Sequence, residues 1–264
     1  MPLAIRWTEP RRASSAGFTL LELVVVVAIA GVLMALLLPA LTGAKEKSRR
    51  SVCGQNIRQD LMALIMYSDW NDERRLPPAT DDQGAYHSIR LSDFTFTNLL
   101  ESLSDESNSL YCPNLVHATG QMGGYEPGVG YTIGYSYLAV KALPPTPAKG
   151  PDQGWSGPLK ADETGEVLAD ANYWSTASSQ RMTLAPHTSG GGAVAVPMVS
   201  GVSGSKASSV PSSPVPGATS TAMGAMGGNI GSLNMSVIWK PIRSMKQWPA
   251  SFELDGSSSA FGNW

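Results

Sequence analysis

The sequence predicts an α+β fold in which one long N-terminal helix packs on a small antiparallel β-sheet head. Three observations lead to this prediction. The run from Phe18 to Leu41 is apolar and holds a single ionisable side chain, Glu22. An amphipathic stretch continues from there to about Trp70. After residues 77–78, which are both proline, short alternating segments are separated by Gly, Ser and Pro, as expected for strands and loops.

The first element, residues 18–41, is long enough to cross a membrane. As a helix it would extend roughly 36 Å, against about 30 Å for the bilayer core. A secretory signal peptide has an apolar core of only about 7–15 residues, so a membrane-spanning helix is favoured. Glu22 is then costly, by about 2–3 kcal/mol at mid-depth. We interpret it as a functional residue; the alternative is a carboxylate that stays at the headgroup level.

The N-terminal residues match a known pattern. Gly17, Phe18 and Glu22, at the fifth place from that Phe, precede a long apolar helix that contains Pro39. This segment resembles the leader of type IV prepilins and type II secretion pseudopilins. The resemblance implies a pilin-like fold, cleavage by prepilin peptidase between Gly17 and Phe18, and N-methylation of Phe18. Residues 1–17 would be the leader, and residues 18–41 would remain as the transmembrane and filament-core helix.

The resemblance also implies roles for two of these residues. Glu22 would pair with the α-amine of Phe18 of a neighbouring subunit, because two charges that are each costly in an apolar core stabilise one another when paired. Pro39 removes a helical hydrogen bond and would loosen or interrupt the helix. The implied partners are prepilin peptidase, other pilin or pseudopilin subunits, the inner-membrane assembly platform and membrane lipid.

The function implied is that of a structural subunit of a type IV pilus or type II secretion pseudopilus. It would be a single-pass protein of the bacterial inner membrane with its head in the periplasm. The alternative is a membrane-anchored extracytoplasmic module that uses the same leader, does not polymerise and binds glycans or another surface ligand. Its candidate binding residues are aromatic: Trp155, Trp174, Trp239, Trp248 and Tyr173.

Composition and motifs argue against three other classes of protein: nucleic-acid-binding proteins, enzymes and metalloproteins. The 19 Lys and Arg nearly balance the 21 Asp and Glu, so no nucleic-acid partner is expected. The sequence contains no nucleophile elbow, phosphate loop or zinc-protease motif, and we expect neither an enzyme nor a cofactor. The three histidines are isolated along the chain, so we expect no metal; they are His87, His117 and His187. An acidic group after the helix is interpreted as a solvated loop rather than a calcium site: Asp69, Asp72, Asp81 and Asp82.

Residues 42–75 are expected to continue the helix as an amphipathic segment. Its predicted apolar face comprises Val52, Ile57, Leu61, Leu64 and Ile65. The charged residues, Asp60 among them, fall mostly elsewhere, and Glu46 is expected to form a surface pair with Arg49 or Arg50. Residues 45–50, 53–59, 67–72 and 76–78 resemble a subgroup of prepilin-type proteins common in planctomycete and verrucomicrobial genomes.

Residues 76–264 form the predicted head. A short helix is expected over 91–103, with Ser92 as its N-cap. Strands are expected over 131–137, 166–169, 181–185 and 233–240. Residues 188–228 are predicted to be a flexible low-complexity loop. The chain end resembles a family pattern with a tight Asp-Gly turn, but Asn234 and Met235 stand at that place, and the alternation predicts a strand that runs straight through.

Cys53 and Cys112 are the two cysteines of the chain. If the head lies outside the cytoplasm, a disulfide between them is permitted, and it would fasten the helix to the segment around Cys112. The alternative is a pair of buried free thiols.

Overall fold

A long helix and a set of short strands make up the described part of the chain. The computed structural model describes residues 18–70, 76–103, 107–119, 124–138, 165–175, 183–189, 193–196, 219–252 and 260–264. Helix α1 spans Leu20–Trp70. The chain forms two compact units, one ending at Leu41 and the other comprising Thr42–Trp264.

In the first unit, α1 presents apolar side chains to its surroundings. Every side chain from Phe18 to Leu41 is exposed except that of Ala30, which is half-buried. By length and composition this part of α1 can cross a membrane. The helix continues through Pro39, so the predicted interruption at that residue is not found. One missing hydrogen bond within so long a helix is offset by the turns on either side.

The second unit contains the rest of α1 and the head. The head helices are α2, Asp93–Ser102, and α3, Pro113–Thr119, with short 3-10 helices at Ser107–Leu110 and Ile242–Ser244. The strands are β1 Tyr86–His87, β2 Arg90–Leu91, β3 Tyr125–Glu126, β4 Gly130–Thr132, β5 Tyr135–Tyr137, β6 Glu166–Asp170, β7 Tyr173–Ser175, β8 Thr183–Ala185, β9 Val194–Val196, β10 Gly227–Ser232, β11 Val237–Pro241, β12 Gln247–Pro249, β13 Ser251–Phe252 and β14 Ala260–Asn263.

These strands pair into small antiparallel sheets, in the orders β11-β10-β6-β5, β12-β14-β7-β8-β9, β2-β4-β3 and β1-β13. The predicted α+β class, a long helix followed by a head of small antiparallel sheets, is therefore confirmed. It is the architecture expected of a pilin-like chain.

Helix α1 packs against β10 at very short range. A Cβ placed on Gly231 would lie 2.5 Å from Ile57 Cγ2 and 2.9 Å from Leu61 Cδ1, so only glycine fits this contact. Ile57, Leu61 and Leu64 are buried, as predicted. Val52 is 45% exposed, so its predicted place on the packed face is wrong. Asp60, predicted to lie off that face, is buried.

The predicted strand over 131–137 is two strands in different sheets. β4 pairs with β2 and β3, whereas β5 pairs with β6. The chain changes sheet at Gly134, where an added Cβ would lie 2.5 Å from the backbone nitrogen of Cys112. Ile133 N donates to Ile89 O at 2.9 Å, and Gly134 N donates to Leu110 O at 2.8 Å. The alternation was correct, but it does not show where a strand leaves one sheet for another.

The predicted uninterrupted strand over 233–240 is also wrong. β10 and β11 form a hairpin, and the chain turns at residues 233–236. Met235 takes a φ of 65°, and the backbone N–H of Ser236 donates to Asn234 Oδ1 at 3.0 Å. The turn that the family pattern implied is thus present with Asn234 and Met235 in place of Asp and Gly. Asn favours such turns because its side chain bonds the backbone two residues on.

Other predicted elements are found. α2 begins after Ser92, whose Oγ accepts from the backbone N–H of Thr95. β6 and β8 match the strands predicted over 166–169 and 181–185 within the described residues. In the predicted loop over 188–228, strand β9 and a turn at 219–225 are described, and residues 197–218 lie outside the described part.

Candidate functional site

Two regions carry candidate functional residues, and the first is the start of α1. Thr19 and Glu22 form a reciprocal cap. The backbone N–H and the hydroxyl of Thr19 each donate to Glu22 Oε2 at 2.9 Å, and the backbone N–H of Glu22 donates to Thr19 Oγ1 at 3.2 Å. The Thr-x-x-Glu signature that could have identified this cap is present in the sequence at residues 19–22.

The neighbouring candidates lie where the sequence placed them. Phe18 precedes α1 and is 71% exposed. Pro39 is exposed within α1. Gly17 and the rest of the predicted leader lie outside the described residues. The described helix start therefore carries an exposed aromatic residue and a carboxylate within one turn of it.

The second region is a buried cluster of four side chains in the head. Cys53 comes from α1, Cys112 directly precedes α3, Asp170 ends β6, and His187 follows β8. Each offers one metal-binding atom, and these four atoms lie within 4.8 Å of one another. Both cysteines are free thiols, with their Sγ atoms 2.9 Å apart. All four side chains are buried.

His187 is held on both ring nitrogens by acidic groups. Nδ1 lies 2.7 Å from Glu46 Oε1, and Nε2 lies 3.3 Å from Asp170 Oδ2. Glu46 also accepts from Asn114 Nδ2 at 3.0 Å and from Arg50 Nε at 3.0 Å. Because a carboxylate only accepts hydrogen bonds, the Glu46 contact places a proton on Nδ1.

Further contacts fix Asp170 and enclose the cluster. Asp170 Oδ2 accepts from Asn229 N at 2.6 Å and from Asn229 Nδ2 at 3.0 Å. The indole of Trp239 lies edge-on to His187, with ring centroids 5.4 Å apart, and the Arg50 guanidinium lies 4.1 Å above the Trp239 ring. The cluster is therefore shielded from water by a cation–π pair and closed by β10.

The buried ionisable side chains of this region shift one another's pKa values. Burial alone would raise the pKa of Glu46, but the hydrogen bonds from His187, Asn114 and Arg50 outweigh it and lower that pKa. Burial alone would lower the pKa of His187, but the Asp170 carboxylate and the hydrogen bonds around the ring raise it to about 11. The hydrogen bond to Cys112, together with burial, raises the pKa of the Cys53 thiol. At Cys112 the contacts with Cys53 and His187 outweigh burial and lower the pKa to about 7.

The sequence did not indicate this cluster. His187 was interpreted as isolated, which is wrong, because sheet pairing brings it to residues that lie far from it in the chain. Glu46 was expected on the surface with an arginine; it does pair with Arg50, but it is only 4% exposed and also contacts His187. Helical spacing was the one available signal, since Glu46, Arg50 and Cys53 lie on one face of α1.

Other candidates are not assembled into sites within the described residues. Asp81 accepts from the backbone of Gln83 and Ala85, and Asp82 accepts from the backbone N–H of Asp93. These carboxylates stabilise a turn and the start of α2. Asp72 lies outside the described residues.

The candidate aromatic residues form no shared exposed platform in the described part of the head. Trp174 and Tyr173 are buried. Trp239 is half-buried beneath Arg50, and Trp155 lies outside the described residues. Trp248 is the one exposed candidate among the described residues, at 36%. The described positions thus offer a single exposed ring rather than an aromatic platform.

Comparison with known proteins identifies the N-terminal segment. The family described as the prokaryotic N-terminal methylation motif matches residues 12–38. The chain is also 42% identical over 76 residues to the type II secretion system core protein G of Klebsiella michiganensis, a match that covers 28% of this chain. It spans 49% of that relative's own length. No solved structure matches the chain with significant similarity.

These findings confirm the resemblance to prepilin-type proteins and pseudopilins that the N-terminal residues indicated. They show a prokaryotic N-terminal methylation motif at the start of a helix that is long and apolar enough to cross a membrane.

Proposed function

We propose that the protein is a structural subunit, assembled into a type IV pilus or a type II secretion pseudopilus after processing by prepilin peptidase. The observation that carries this proposal is the methylation motif over residues 12–38, which covers the start of an exposed apolar helix. Cleavage between Gly17 and Phe18 leaves the apolar helix in the mature chain. Methylation of the new N-terminus at Phe18 follows in the same enzyme.

Before assembly the subunit lies in the inner membrane, with residues 18–41 across the bilayer and the head in the periplasm. The exposed apolar side chains of this segment suit lipid first and neighbouring helices afterwards. The partners are therefore prepilin peptidase, membrane lipid, the assembly platform and other subunits. The head contributes packing and surface rather than catalysis.

Glu22 has a double role in this proposal. In the single chain its carboxylate caps α1 through Thr19. In the filament it pairs with the α-amine of Phe18 of a neighbouring subunit, which fixes the axial register of the helices. An unpaired carboxylate in the apolar filament core would be strongly destabilising, so the pair favours one arrangement over others.

The capping role makes a simple alanine variant ambiguous, because loss of a cap costs about 1 kcal/mol by itself. Two variants separate the roles. Glu22→Gln keeps a capping side chain and removes the charge. Thr19→Ala removes the hydroxyl of the cap and keeps the charge. Both are expressed in the native host, and filament yield is measured by shearing and immunoblotting against total membrane-bound subunit.

We expect Glu22→Gln to lower filament yield by at least tenfold and Thr19→Ala to lower it less than twofold. Equal losses in the two variants would mean that Glu22 acts only as a cap. Normal filaments from Glu22→Gln would show that the charge has no part in assembly.

A further inference from the structure

The buried cluster of the head contains polar atoms that the protein itself does not satisfy. Within the described residues, Asp170 Oδ1 is buried and has no hydrogen-bond partner, and the buried His187 Nε2 has only the 3.3 Å ion-pair contact to Asp170 Oδ2. A buried polar atom without a hydrogen bond is destabilising, because it has lost its contact with water. Both side chains belong to the group of four that includes the thiols of Cys53 and Cys112.

The same atoms are a suitable donor set for one cation. Once a cation displaces the proton on Nε2, an imidazole that keeps its proton on Nδ1 presents a lone pair on Nε2. Two cysteines supply thiolates, and Asp170 supplies a carboxylate oxygen. Four donors of these kinds are the number and type that tetrahedral zinc takes, whereas calcium prefers oxygen ligands alone.

The surroundings of His187 are those of a metal ligand. A ligating imidazole usually donates its other N–H to a carboxylate, which fixes the ring and raises its basicity. Glu46 Oε1 lies 2.7 Å from Nδ1 and is itself held by Arg50 and Asn114. Asn229 holds Asp170 through its other oxygen, Oδ2. The positions of both side chains are thus fixed by bonds that do not use the unsatisfied atoms.

We propose that Cys53, Cys112, Asp170 and His187 form a structural metal site whose preferred ion is Zn²⁺. Binding releases the two thiol protons and the Nε2 proton of His187 to solvent and leaves Nδ1–H of His187 on Glu46. The ion fastens α1 to the segment before α3, to the end of β6 and to the segment after β8. This proposal departs from the sequence prediction of no metal, which rested on spacing along the chain.

The competing state of the two thiols is a disulfide, which an oxidising compartment favours. A disulfide would cross-link α1 to the segment before α3 but would leave Asp170 Oδ1 unsatisfied and His187 Nε2 with only its 3.3 Å contact to Asp170 Oδ2. A bound cation satisfies both atoms together with the sulfurs. The unsatisfied atoms are therefore the reason to favour the metal.

The test uses the full chain, isolated from membranes of its native host in detergent without reductant or chelator. Zinc is measured by inductively coupled plasma mass spectrometry, and the intact mass shows whether the thiols are joined. Protein depleted of metal under reducing conditions is then titrated with Zn²⁺ and with Co²⁺, whose thiolate charge-transfer absorption reports sulfur ligation. We expect about one zinc per chain and a Tm that rises on the order of 10 °C at a thousandfold excess over Kd.

Matched variants assign the ligands. We expect His187→Gln and Asp170→Asn to weaken zinc binding by about 100-fold. The controls His87→Gln and Asp60→Asn change a buried histidine and a buried aspartate outside the cluster and should leave the affinity unchanged. Glu46→Gln should weaken it by about 10-fold, as expected for a residue behind a ligand.

Three results would overturn the proposal. One is a chain from the native host that holds no zinc and whose mass shows a Cys53–Cys112 disulfide. Another is a reduced wild-type chain that binds neither zinc nor cobalt, a result that needs no variant to fold. The third is binding that survives both His187→Gln and Asp170→Asn, which would assign the metal to other residues.

Discussion

Replacing Asp60 with Asn is expected to stabilise the head by at most about 4 kcal/mol above pH 7 and by less than half of that near pH 5. Asp60 is only 2% exposed, and neither carboxylate oxygen has a hydrogen-bond partner among the described residues. It lines a small cavity with leucines such as Leu64 and Leu99. The titratable groups that share this cavity are the phenols of Tyr135 and Tyr137.

The magnitude follows from the pKa of this carboxyl group. Burial raises the pKa of Asp60 to about 7, and the nearby Ser109 hydroxyl offsets only part of the effect. Between about pH 4 and pH 7 the folded chain therefore binds a proton that the unfolded chain has lost, so stability falls as the pH rises. A shift of about three units corresponds to at most about 4 kcal/mol at pH 8. Asn carries no charge at any pH and removes this loss.

The assay is thermal unfolding of the full chain in detergent at pH 5 and pH 8. At pH 8 we expect Asp60→Asn to raise Tm by roughly 5–15 °C relative to wild type, at about 2–4 °C per kcal/mol. The control is Glu101→Gln, which changes an exposed carboxylate of α2 and should shift neither value. If wild type and Asp60→Asn lose the same stability between pH 5 and pH 8, the carboxylate is not the group that titrates, and this reasoning fails.

Two further predictions concern packing and capping. Gly231→Ala should destabilise the head by about 1–3 kcal/mol in thermal unfolding, because the added methyl group meets Ile57 and Leu61 of α1. The control Gly165→Ala has open space around the added methyl group and should leave the stability unchanged. Ser92→Ala should cost about 1 kcal/mol by removing the N-cap of α2, and unchanged stability in denaturant titration would show that this cap is not needed.

Much of the fold could be predicted because its signals are local. The apolar run, its single carboxylate and the helical spacing of Ile57, Leu61 and Leu64 define α1 without any long-range information. Ser92 predicts the start of α2 for the same reason. The hairpin at Asn234 and Met235 was missed because a Met with positive φ is uncommon. The pairing of β10 with β11 imposes the positive φ of Met235 in this turn.

The buried cluster could not be predicted, because its members meet only through tertiary structure. Cys53 and Cys112 lie 59 residues apart in the chain, and His187 lies 141 residues from Glu46. Spacing rules find metal sites in which neighbouring ligands share one loop or helix. Here each ligand comes from a different element. The prediction for Asp60 was wrong for the same reason. A charged side chain favours the surface, but the tertiary structure places this position of α1 against the sheets.

Processing of the chain as a prepilin is checked by identifying the N-terminus of the mature protein. The membrane fraction of the native host is isolated, and the N-terminal peptide is identified by mass spectrometry. We expect a chain that begins at Phe18 and carries one methyl group on its α-amine. A mature chain that begins at Met1, or at any residue other than Phe18, would contradict it.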